Sequence, residues 1–272
     1  MQTEQQFNEW LSQQNLDKEY WLEHYELSKE GALQSVVAIA LLYKAHQHFE
    51  HASLWLQKAV ALGHVEAMYE LGNVYFEMED EEHAFAMYER AAQLGHPDAM
   101  NNLADMYLNG EGTVINEQIA LQWFVKAAEH GVVEAMFTLG MMYEQGIGTE
   151  VDEQMAIHYY GLSANGGDVE GLYRMGMIYF EGELGQQPIL PRAIQYFEQA
   201  ANQLHIDALF NLGYIYELEW GMATKAIHYY KQASFAGDLE ATKKLVDFFE
   251  RTNDEQLHKW QQKLTQLQRE RK

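Results

Sequence analysis

The chain has 272 residues, 47% of them apolar, and no cysteine, which excludes disulfides, thiolate metal sites and thiol nucleophiles. Its formal net charge of −23 repels phosphate backbones, so the expected partner is a protein with a basic surface and not nucleic acid. The longest apolar run, residues 36–43, is too short to cross a bilayer, and the first ten residues lack the basic and apolar regions of a secretory leader; a cytoplasmic protein with no membrane partner is expected.

From Gly31 onward one pattern recurs. A worn copy, "GALQSVVAIALLY", opens at Gly31, and clear copies follow: "GHVEAMYELGNVY" from Gly63, "GHPDAMNNLADMY" from Gly95 and "GVVEAMFTLGMMY" from Gly131. "GDVEGLYRMGMIY" starts at Gly167 and "LHIDALFNLGYIY" at Leu204, with a last start at Gly237. Successive starts lie 32, 32, 36, 36, 37 and 33 residues apart. Each copy is followed by a second pattern, which returns letter for letter as "AIHYY" at 156–160 and 226–230. Periods of this size predict a solenoid of stacked supersecondary units. Both halves of a unit read as helix: Ala67, Met68, Leu71 and Tyr75 fall at helical spacing in the first, and Ala120, Trp123, Phe124 and Ala127 in the second. "NGEGT" at 109–113 and "QGIGT" at 145–149 are turns between the halves, and the shorter units omit them.

Gly72, Gly140, Gly176 and Gly213 sit in the middle of first helices, with Ala40 and Ala104 in the same slot of two other units. Glycine costs about 1 kcal/mol relative to alanine in a helix interior. Repeating that cost predicts that another helix presses on the slot.

The unit as it stands at Ala135–Gly167 resembles the Sel-1-like repeat, a relative of the tetratricopeptide repeat, and the resemblance spans roughly residues 31–250. It implies an all-α fold: a right-handed α/α solenoid of about six helix-turn-helix repeats, with units starting near 31, 63, 95, 131, 167, 204 and 237. Residues 1–30 are then an N-terminal helical cap, and 251–272 a basic C-terminal capping helix with Leu257, Trp260, Leu264 and Leu267 at helical spacing. The family further implies a bacterial adaptor in signalling or assembly.

In such arrays the first helix of each unit lines a concave groove. Carried over by register, the groove offers Glu66, Tyr69, Asn73 and Phe76, then Asp98, Asn101 and Asp105, then Glu134, Phe137, Met141 and Glu144. Glu170, Tyr173 and Met177 follow, then Phe210 and Tyr214. An acidic row (Glu66, Asp98, Glu134, Glu170, Asp207, Glu240) would attract Lys or Arg, and a row of rings (Tyr69, Phe137, Tyr173, Phe210) would take apolar or cationic side chains. Against this, each acid lies in a first helical turn, where a carboxylate already favours the helix dipole by roughly 0.3–1 kcal/mol.

Catalytic chemistry is not written in the chain. The "GEG" and "GIG" loops follow helices and lack a phosphate-binding lysine, and neither a zinc-protease nor a serine-nucleophile motif occurs. His46, His48 and His51 read as a polar inter-helix loop and not as a zinc site, and the acids of 77–83 as a solvated run without the glycine-kinked spacing of calcium loops. The expected function is a non-catalytic protein-interaction scaffold with no cofactor and no metal. Its sharper alternative is a cytoplasmic immunity protein that masks a basic toxin or nuclease effector; an enzyme or a metal-binding protein is a further alternative.

Overall fold

The computed structural model describes residues 3–218 and 221–270. Arg271 and Lys272, two cations of the basic tail, lie outside the described residues. Among those described there are sixteen α-helices and no strand. They follow one another as hairpins: α1 (Glu4–Gln13) with α2 (Lys18–Lys29), α3 (Leu33–Ala45) with α4 (Phe49–Ala61), and α5 (Val65–Glu77) with α6 (Glu81–Gln93). Next come α7 (Pro97–Asn109) with α8 (Glu117–Glu129), and α9 (Val133–Gln145) with α10 (Glu153–Asn165). α11 (Val169–Met177) runs into a π-helical turn, Ile178–Gly182, before α12 (Leu190–Asn202). α13 (Ile206–Leu218) with α14 (Ala223–Phe235), and α15 (Leu239–Arg251) with α16 (Leu257–Glu270), complete the chain. From α3 on, the first helix of each hairpin is called A and the second B. The contacts define two units, residues 1–138 with 146–150, and residues 139–145 with 151–272, so that the division falls within α9. Within each, hairpins stack in sequence order as an α/α solenoid.

The glycine slot explains how A and B helices close on each other. A Cβ on Gly140 would stand 2.5 Å from Cδ1 of Tyr160, and one on Gly72 2.6 Å from Cε1 of Tyr88. Gly176 meets Phe197 and Gly213 meets Tyr230 in the same way. The ring of helix B fills the volume that the missing side chain leaves, and all four rings are buried. Burying such a ring stabilises by about 1.5–3 kcal/mol, which outweighs the glycine cost of about 1 kcal/mol.

Helix starts are fixed by side-chain caps. His64, His96 and His205 accept the N–H of Ala67, Ala99 and Ala208 on Nδ1, while Asp168 and Asp238 cap Gly171 and Ala241 from the same slot. The B-to-A turn needs a left-handed residue, which Gly95 supplies at φ 92°; Leu204 holds this slot at φ 65° despite its Cβ.

One expectation is corrected. His51 lies on α4 and not in a loop; His46 and His48 face the ring of Trp10, and His51 stacks on Tyr43. Three histidines therefore dress the joint between α1, α3 and α4. The inter-helix loops are also more than turns: the Gly112 N–H donates to Glu81 Oε2 and the Gly148 N–H to Glu117 Oε2, each at 3.1 Å. These second glycines rest on the backbone that opens the preceding B helix, where a Cβ would collide with Glu81 or Glu117.

Candidate protein-binding face

The acids of the first helical turns are exposed wherever the repeat recurs. In the first unit these are Glu66, Asp98 and Glu134, and in the second Glu170, Asp207 and Glu240. Two of them touch the histidine that caps the next A helix. Glu66 Oε2 lies 3.0 Å from His96 Nε2, and Glu170 Oε1 lies 3.6 Å from His205 Nε2. Since Nδ1 of both rings accepts a backbone N–H, the proton of a neutral ring sits on Nε2 and points at the carboxylate.

The aromatic row is partly spent inside the fold. Tyr69 stacks on His96 at 4.4 Å and Tyr173 on His205 at 4.3 Å, so each ring clamps the start of the following A helix. Phe210 packs against Tyr230 and Phe137 is half-buried. Of the positions that vary between repeats, Met177 Sδ accepts from Asn211 Nδ2 at 3.3 Å, Met141 is half-buried, and Tyr214 lies under Lys244.

A ladder that the sequence reading does not contain joins successive A helices. Counted from the glycine slot, the residue four positions on pairs with the residue two positions before the slot of the next repeat. In the first unit Lys44 Nζ bonds Glu70 Oε2 at 2.5 Å. In the second, Arg174 bonds Glu144 at 2.5 Å and Glu183 on its other side, and Lys244 bonds Glu217 at 3.1 Å. The buried tyrosines of the B helices join in: the Tyr160 hydroxyl donates to Glu144 at 2.6 Å and Tyr230 to Glu217 at 2.7 Å. Burial first, then the adjacent Glu144 carboxylate, pushes the Tyr160 hydroxyl above the ordinary tyrosine range and keeps it a donor. Burial works against the charge of Arg174, but its two glutamates outweigh it and hold the guanidinium above its usual range. Glu144, expected to face a partner, is thus bonded within the fold, with its side chain 26% exposed.

Among the described residues the ladder is not continuous: no ion pair joins Leu108 to Thr138 in the first unit or Phe180 to Asn211 in the second. At the rung after Lys44–Glu70, Phe76 and Asn102 take the two positions, and a hollow of 380 Å³ opens. Tyr88 and Asn73 form its floor, the Tyr88 hydroxyl donating to Asn73 Oδ1 at 2.8 Å. Phe76, 45% exposed, stands at its rim, and the carboxylates of Glu77, Asp105 and Glu111 line it with Lys44. Lys44 is already bonded to Glu70. Asp105 accepts only the neutral Asn101 amide at 3.1 Å, and among the described residues no cation bridges Glu77, Asp105 or Glu111. Burial first, and the charge of Glu111 second, push the Asp105 carboxyl up to about 6 against the Asn101 bond. Asn73, Phe76 and Asp105 of the expected face thus meet in one place with Tyr88, Asn102 and Glu111, which the sequence reading does not name, and with Glu77, which closes α5 and lines the hollow where a solvated run is expected.

Among the described residues no cluster of three or more His, Cys, Asp or Glu side chains is arranged to hold a metal ion, and no helix is long and apolar enough to cross a membrane.

The Sel1 repeat pattern matches residues 49–64, 97–132, 133–168 and 169–203, and the tetratricopeptide repeat pattern matches 65–94 and 206–234. Comparison with curated proteins returns no match. Among solved structures, a protective antigen present in uropathogenic Escherichia coli strains superposes with a TM-score of 0.79 at 26% identity, over 89% of this chain and 56% of that one. The chain therefore spans little more than half the length of that antigen. A Sel1 repeat protein from Oxalobacter formigenes gives a TM-score of 0.70 at 27% identity, over 85% of this chain and 99% of that one. An immunity protein from Pseudomonas aeruginosa, at 23% identity over 68% of this chain and 73% of that one, reaches only 0.44, too loose a likeness to carry an argument. Repeat register, helical hairpins and these two superpositions agree: the chain is built of Sel1 repeats and tetratricopeptide-like repeats.

Proposed function

We propose that the protein is a non-catalytic scaffold whose A helices hold a protein partner with a basic surface. The observation that carries this reading is the exposed first-turn acid of each repeat from Gly63 on, set in a chain of net charge −23. A carboxylate suits the helix dipole, but the dipole does not require that all these positions remain open to solvent. Opposite charge on the partner would speed encounter, and ionic strength would weaken it. In the same reading, residues 1–30 and 251–272 close the ends of the array and do not bind.

Affinity capture from lysate at low and high salt, with the bound protein identified by mass spectrometry, tests the proposal. A basic partner released by salt and by the triple substitution Glu66→Gln, Asp98→Asn, Glu134→Gln is the expected result. An acidic partner, or one indifferent to salt, contradicts it. Masking of a basic toxin is the special case favoured by the size of the charge, and a toxin gene beside this one would single it out.

A further inference from the structure

We propose that the hollow bounded by Phe76, Tyr88, Asn102 and Asp105 is the seat of one lysine or arginine side chain of the partner. This rests on the scaffold reading and narrows it to a place.

The argument comes from the ladder. At two of the three rungs of the second unit the repeat supplies its own cation: Arg174 over the Tyr160 ring, bonded to Glu144, and Lys244, bonded to Glu217. The third, Phe180 with Asn211, has no cation either, but Tyr214 stands there where the hollow has the carboxylate of Asp105. In the hollow the position of Arg174 is taken by Asn102, and that of Glu144 by Phe76. The tyrosine of helix B is retained as Tyr88. What remains is a ring floor, an open ring at the rim and carboxylates on the wall, without the positive charge that the same fold places among such groups elsewhere. Lys44 cannot serve, because Glu70 holds it at 2.5 Å.

The chemistry of the walls selects the occupant. An ammonium or guanidinium gains from the face of Phe76 and from Asp105 and Glu111 together, and the aliphatic stem of either side chain suits the apolar part of the wall. An anion meets three carboxylates. A bare metal ion finds no set of three ligands. The unusual state of Asp105, half-buried and raised towards neutrality, is that of a carboxylate lacking a counter-charge, and a bound cation would relieve it.

The test uses the full chain labelled with nitrogen-15 and titrated at low salt with N-acetyl-arginine amide, N-acetyl-lysine amide and, as the uncharged control, N-acetyl-norleucine amide. Saturable shifts of the Asn73 and Asn102 side-chain amides are expected with the two cations and not with norleucine. Phe76→Ala and Asp105→Asn should each weaken that binding by about tenfold, while Glu129→Gln, an equal loss of charge at the exposed end of α8, should change it by less than about twofold. Spectra unchanged elsewhere show that each variant folds. Equal response to norleucine, or equal loss from Glu129→Gln and Asp105→Asn, would overturn the seat. A salt-sensitive partner whose affinity ignores both hollow substitutions would also overturn it, and would leave the scaffold reading standing.

Discussion

The hollow at Asp105 and the ion pair at Arg174 occupy the same positions of the repeat and have opposite character. In the second unit Glu144, Tyr160 and Arg174 satisfy one another, so the charge is spent on holding consecutive A helices together. In the first unit Phe76, Tyr88 and Asn102 stand in those places and leave Asp105 with a neutral partner. One backbone geometry thus serves as an internal joint or as an open site, depending on the pair at the rung and on Asp105, whose place Tyr214 takes beside the Phe180–Asn211 rung. A site in a repeat protein is found by asking where the repeat fails to satisfy itself.

The largest predicted effect concerns the hairpin beneath both places. Gly140→Leu drives a side chain into the Tyr160 ring and should destabilise by about 3 kcal/mol in urea unfolding, displacing the hydroxyl that Glu144 accepts. An unchanged midpoint would refute the ring-in-glycine packing. Smaller, and opposite in sign, is Asp105→Asn. The folded protein keeps the Asp105 proton up to pH about 6, whereas an ordinary carboxyl gives it up near 3.8. Stability is therefore lost as pH rises through that window, and at pH 7 the ionised Asp105 is a burden. The variant should be more stable at pH 7 by about 1–2 kcal/mol, allowing for partial exposure, and should match wild type near pH 4. Equal stabilities at both pH values would show that Asp105 carries no strain.

The histidine joint comes next. His96→Ala removes the cap on Ala99, the stacking surface of Tyr69 and the contact of Glu66, and should cost about 1 kcal/mol, whereas His96→Asn sets an amide oxygen in place of the capping Nδ1 and should cost less. Equal losses would assign the effect to stacking. Least of all, Leu204→Gly relieves a left-handed residue and should stabilise by about 0.5–1 kcal/mol, while Gly95→Leu should destabilise by a similar amount.

The repeat period, both helices of each unit and the crowded glycine slot were legible in the sequence because they are local: they depend on spacing within one hairpin. The acidic row was legible for the same reason, each acid following its cap by two residues. The ladder was not. Glu144 and Arg174 lie 30 residues apart and Glu217 and Lys244 lie 27 apart, so loop length hides the common register. Reversal of sign in Lys44–Glu70 hides it further. Nor does the sequence show that Glu111, beyond the end of α7, turns back to the wall of the same hollow as Phe76. The π-helical turn at Ile178–Gly182 escaped as well, since its residues continue the apolar spacing of α11.

Asn102→Arg tests the account most directly, because it gives the first unit the cation that Arg174 gives the second. Calorimetry with the partner captured at low salt should show affinity falling by about tenfold or more, with the Asp105 carboxyl returning towards its ordinary range in a carbon-13 titration. Binding undiminished by a filled hollow, in a protein that still folds, would contradict it.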